Sequence, residues 1–157
     1  LRGVEYFSDT FESDNTAVTA VPTAPNFPLR HHTSYPKGDA DWMTFNGYAN
    51  QYVKHPLVAK PGELVRFWVV DAGPSLDTDF HIAGTILNTA YPLGDMNPAD
   101  ALHNVQTVTV PAGGGGVFDV KIDQPGLYPF VSHAFAAVDQ GQVGLLKVGN
   151  PKGTTSH

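Results

Sequence analysis

Seven histidines and no cysteine are what this chain offers for chemistry. Without thiols, the 157 residues hold no disulfide, no zinc ribbon, no cysteine nucleophile and no cysteine-ligated copper centre. Other site types fall away as readily. The glycine run 113–116 is followed by a strand-like segment and no Lys-Ser/Thr, so it lacks the helix N-terminus that a phosphate loop needs. No Gly-x-Ser-x-Gly elbow is present. The carboxylates are scattered, and no single element pairs two of them as a glycosidase would. Imidazole remains. It changes charge near neutral pH and, when neutral, is the commonest protein ligand for copper and related metals.

The histidines sort by context. His31 and His32 lie in a proline-rich arm and His157 is terminal. His55 before Pro56, and His103 in Asp100-Ala101-Leu102-His103-Asn104, read as solvated strand starts. His81 and His133 differ. His81 sits inside the apolar stretch Phe80-His81-Ile82-Ala83-Gly84, and His133 ends the run Tyr128-Pro129-Phe130-Val131-Ser132. For either alone, the simpler reading is a buried imidazole satisfied by backbone carbonyls. Two of them at strand ends keep a metal or proton-transfer site open.

Strands must position these two. Residues 63–70, Glu-Leu-Val-Arg-Phe-Trp-Val-Val, form a β-rich run behind the turn pair Pro61-Gly62. Phe118, Val120 and Ile122 alternate with Asp119, Lys121 and Asp123, the period of a strand with one wet face. Residues 105–110, 126–133 and 142–148 continue the series, separated by turn punctuators such as Ala72-Gly73-Pro74 and Gln124-Pro125-Gly126. One helical piece is expected, at 134–138, closed by Gly141. Before Trp42 the chain changes character: three prolines fall within 18–28, which reads as an extended arm with one strand near 4–7.

Composition agrees with this and narrows the partners. With 16 Gly and 13 Pro, a helical bundle is disfavoured and an all-β Greek-key sandwich or barrel is expected. Nine basic against fifteen acidic residues give a net charge of −6, and no basic run is present. That argues against binding to nucleic acid or to an anionic membrane. No apolar run approaches the ~20 residues of a membrane span, and the first residues show no signal-peptide core.

The order of short motifs then adds a resemblance. Phe45-Asn46-Gly47, Pro61-Gly62-Glu63-Leu64-Val65-Arg66, Ala72-Gly73-Pro74-Ser75, Phe80-His81-Ile82-Ala83-Gly84, Val105-Gln106-Thr107, Val110-Pro111-Ala112-Gly113-Gly114, Pro125-Gly126-Leu127-Tyr128 and Val131-Ser132-His133, followed by Gly141-Gln142-Val143-Gly144, come in sequence over roughly residues 42–149. Together they resemble the C-terminal cupredoxin domain of copper-containing nitrite reductases and related two-domain multicopper oxidases. The resemblance implies an extended arm or connector at 1–41, a cupredoxin-like domain at 42–150 and a tail at 151–157. It also implies copper chemistry shared with other chains. In that family the blue copper and its cysteine lie in the N-terminal domain, and the type 2 copper sits between subunits of a trimer. Two of its histidine ligands come from an N-terminal domain and one from the C-terminal domain of a neighbour. The position of that last ligand matches His133, and the position of the proton-relaying histidine matches His81.

One position departs from the pattern. Two residues after the relay histidine the family usually carries an Ile that crowds the copper, where this chain has Ala83. The exchange opens the substrate pocket and brings dioxygen in beside nitrite as a substrate. The expected function is therefore the second cupredoxin domain of a copper oxidoreductase, inactive by itself, with a blue-copper domain or chain as partner. The family's export implies a periplasmic or secreted location. Rival readings are a laccase-like multicopper oxidase domain, a metal-free structural cupredoxin module, and a copper carrier using His31, His32 or His133. An apolar interface patch of Phe130, Ala134, Phe135 and Val138 is expected around His133.

Overall fold

The computed structural model describes residues 2–6, 40 and 42–151. His31, His32 and His157, together with most of the arm and tail read from the sequence, lie outside the described residues. Strands dominate: β1 (Arg2–Tyr6), β2 (Trp42–Phe45), β3 (Leu57–Ala59), β4 (Leu64–Asp71), β5 (Thr78–Ile82), β6 (Leu87–Pro92), β7 (Leu102–Val105), β8 (Thr107–Val110), β9 (Gly115–Lys121), β10 (Gly126–Ser132) and β11 (Val143–Val148). They form two sheets. One has six strands in the order β2-β1-β4-β9-β6-β7, and the other has five in the order β3-β11-β10-β5-β8. Most pairs are antiparallel, with parallel pairing at β1/β4 and β3/β11.

The core lies between the sheets and is built on phenylalanine. Alternation along β4 turns Phe67 and Val69 inward and leaves Leu64, Trp68 and Val70 outside. Opposite it in register, β9 contributes Phe118 and Val120. From the five-stranded sheet come Phe80 and Phe130. These rings meet across the sandwich: Phe80–Phe118 at 5.0 Å, Phe67–Phe80 at 5.5 Å and Phe67–Phe130 at 5.6 Å between centroids. Phe130 requires a glycine across the ladder. A Cβ on Gly144, its register partner, would overlap Phe130 Cζ and Tyr52 Cβ.

Three expectations are corrected here. Phe130 belongs to the core and not to a surface patch, because its strand parity turns it inward. Asp119, expected on a wet face, is only 6% exposed. Arg66 on the neighbouring strand lies across it with Nε–Oδ1 at 2.6 Å and Nη2–Oδ2 at 2.7 Å, so a bidentate ion pair covers the carboxylate. Two short helices occur where one was expected: α1 (Gln51–Lys54) and α2 (Ala136–Asp139). A further 3₁₀ turn, Pro98–Asp100, precedes β7.

Candidate metal and proton-transfer site

The outer face of the five-stranded sheet carries the two histidines. Along β5, Thr78, Phe80 and Ile82 point into the core, so Asp79 and His81 must point out. On β10, Phe130 and Ser132 point in, and His133 follows as the strand ends. The register pairs Val131 with His81 and Ser132 with Phe80. The next residue, His133, is therefore brought beside Asp79, and its N–H donates to the Asp79 carbonyl at 2.8 Å. The two imidazoles meet edge to face, 4.9 Å between centroids at 73°. The Phe135 ring lies 5.8 Å from His133 and is 61% exposed.

The rings are tied differently. His81 Nδ1 lies 3.0 Å from the Gln106 carbonyl oxygen and 3.2 Å from Thr107 Oγ1. A carbonyl only accepts, so this bond is made by the tautomer that carries its proton on Nδ1. The topology makes this carbonyl available. β7 belongs to one sheet and β8 to the other, so the chain changes sheets at Gln106 and leaves its carbonyl off the ladder. Thr107 is the register partner of His81. His133 is held by its backbone alone. Among the described residues neither of its ring nitrogens has a hydrogen-bond partner, and the residue is exposed. A free imidazole nitrogen on a fixed backbone is a donor that suits copper.

Ala83 continues the outward series Asp79, His81, Ala83. Its N–H donates to the Pro129 carbonyl at 2.7 Å, and its small side chain is half-buried. His55 and His103 are exposed and stand apart from this pair. Among the described residues no group of three or more His, Cys, Asp or Glu could hold a metal ion. Motif order gave no role to Asp79, Ser132, Gln106 or Thr107. The period-2 alternation around His81 carried the signal for Asp79, and register carried it for Thr107.

With this geometry in view, the likenesses to known proteins are informative. The chain is 38% identical over 110 residues to the copper-containing nitrite reductase of Neisseria gonorrhoeae, a match covering 69% of this chain and 27% of that protein. The enzyme from Neisseria meningitidis serogroup A matches equally well over the same length. Among solved structures, the copper nitrite reductase of Nitrosomonas europaea superposes with a TM-score of 0.76 at 24% identity, covering 96% of this chain and 48% of that one. The chain is a cupredoxin-fold domain. The Cu-containing nitrite reductase of Thermus scotoductus aligns with a TM-score of 0.70 at 27% identity over 74% of the cupredoxin domain's chain and 27% of its own. A multicopper oxidase aligns with a TM-score of 0.63 at 25% identity over 71% of this chain and 38% of that one. No protein-family model matches. The cupredoxin domain spans about a quarter of the length of the curated relatives it matches. No helix among its described residues is long and apolar enough to cross a membrane.

Proposed function

We propose that this cupredoxin domain serves as the second domain of a copper oxidoreductase. In that reading His133 supplies one ligand to a type 2 copper shared with another domain or subunit, and His81 relays protons beside it. One observation carries the proposal: the two ring centroids lie 4.9 Å apart, His81 tied through Nδ1 and His133 without a ring hydrogen bond among the described residues. Likeness to a copper-containing nitrite reductase over 110 residues of the chain supports it. One imidazole does not complete a catalytic copper site, so the other ligands come from a partner chain or domain. That partner also carries the blue copper, because 157 residues without cysteine hold no thiolate for one. A homotrimer in the periplasm or outside the cell fits the resemblance.

The division of labour follows from the side chains. Bound copper would supply one-electron chemistry at an open coordination position. Nitrite reduction takes one electron and two protons and yields nitric oxide and water, so a proton carrier is needed next to the metal. His81 meets that need: the Gln106 and Thr107 contacts fix its ring and direct exchange to Nε2. Phe135 keeps the approach to His133 apolar. Ala83 leaves space on the same face, which admits dioxygen as well as nitrite, and likeness to a multicopper oxidase favours that second substrate.

Replacing each histidine in the assembled enzyme separates the roles. His133→Ala is expected to abolish the type 2 copper signal in paramagnetic resonance while sparing any blue copper. His81→Ala is expected to keep most of the copper and lower turnover by roughly 10²–10⁴-fold, the usual worth of a positioned acid–base group. If His81→Ala strips the metal as completely as His133→Ala, the relay role is wrong. If neither variant changes copper or activity, the domain is a structural module.

A further inference from the structure

The ladder between β5 and β10 ends in an unequal way. Its hydrogen-bonded pairs are Ala83/Pro129, His81/Val131 and Asp79/His133, since Ala83 N–H reaches the Pro129 carbonyl and His133 N–H reaches the Asp79 carbonyl. A complete antiparallel pair exchanges two bonds. Proline has no N–H, so Ala83/Pro129 exchanges one bond of necessity, whereas at Asp79/His133 both N–H donors are present and still only one bond is exchanged. The Asp79 N–H, which a regular ladder would direct to the His133 carbonyl, instead donates to Ser132 Oγ at 3.1 Å. Ser132 is fully buried at 0% exposure, so its hydroxyl cannot trade that partner for water. The consequence falls on the next residue. His133 is pinned at its N–H and released at its carbonyl, and the chain bends away at once into α2.

We infer that Ser132 is the positioning residue for His133: its buried hydroxyl replaces one ladder bond, so that β10 peels off with the His133 imidazole turned toward His81. A serine beside a histidine needs no such role, but here the donor, the register and the burial all converge on one bond. Thr109 reinforces the anchor, its hydroxyl donating to the Asp79 carboxylate at 2.7 Å and holding Asp79 from the β8 side. The inference extends the proposed function by naming what presents its ligand.

The test is made on the 157-residue chain without metal, by nuclear magnetic resonance. Two readouts are followed: the cross-relaxation peak between the His81 and His133 rings, and hydrogen exchange at the Asp79 amide. Ser132→Ala is expected to speed that exchange on the order of tenfold, the equivalent of one lost buried hydrogen bond, and to weaken the ring peak to less than half. Ser132→Thr retains the hydroxyl and should retain both signals. Leu146→Ala, a core truncation on β11 that touches none of these bonds, lowers stability as a control and should preserve the ring peak. Unchanged signals in Ser132→Ala, or their equal loss in Leu146→Ala, would overturn the inference. Should Ser132→Ala fail to fold, loss of the ring peak in Ser132→Thr does so instead. Copper plays no part in these readouts, so a failed positioning role and a failed ligand role are told apart.

Discussion

His81 and His133 differ in what remains of their hydrogen-bonding capacity, and that difference is the chemical content of the site. A ring fixed through Nδ1 to the Gln106 carbonyl and Thr107 holds its orientation. A ring with both nitrogens free is a donor awaiting an acceptor. Elsewhere a single residue sets a pH dependence. Asp71 is 2% exposed, and burial pushes its carboxyl above the usual aspartate value. Bonds from Thr78 and the Gly73 N–H work against that rise, the latter at 2.7 Å, but Oδ2 has no partner among the described residues. The folded chain therefore holds this proton more tightly than the unfolded one. The stabilisation is full below the ordinary aspartate range, about pH 3.9, and is lost as pH rises through the elevated folded value. Asp71→Asn should remove that component. Urea melts from pH 4 to 8 should show the variant gaining on the natural chain as pH rises, and a constant difference would contradict the assignment.

At the scale of elements, the sandwich rests on inward phenylalanines and the glycines that make room for them. Phe118 stacks on Phe80 with both rings fully buried, so Phe118→Ala should cost about 3–5 kcal/mol in chemical denaturation. Gly144→Ala forces a methyl into Phe130 and should cost about 1–3 kcal/mol or more. A smaller loss for either would mean a looser core than these contacts describe. Much of this was legible in the chain: alternation at Phe118, Val120 and Ile122, the run in β4 and the turn pairs between strands all follow local rules. The brief helix α1 was not, because a four-residue turn held by Asn50 and His55 backbone bonds has no periodicity to read. Asp119 was misread because its burial depends on Arg66, fifty-three residues away. The same holds at the site. His81 and His133 stood out by their neighbours, whereas Thr107 and Ser132 meet them through register across strands and Gln106 through the change of sheet between β7 and β8, neither of which spacing along the chain encodes.

On the scale of the whole molecule, the proposed shared site calls for a partner surface around His133. His133 and Phe135 stand at the surface, Phe135 beside Ala134 with Val138 half-buried behind it. In the proposed assembly this exposed aromatic would pack against the partner subunit or domain. Phe135→Asp should weaken assembly with the copper-bearing partner at least tenfold in sedimentation, with the fold unchanged by circular dichroism. Assembly as tight as that of the natural chain would remove this face from the interface. The most direct test of the shared-copper account is the copper content of this domain alone and in complex with a cysteine-bearing cupredoxin partner. The account predicts no tightly held copper on the domain alone and one type 2 copper per domain in the complex, lost with His133→Ala. A copper held tightly by the lone domain, or none in the assembled protein, would contradict it.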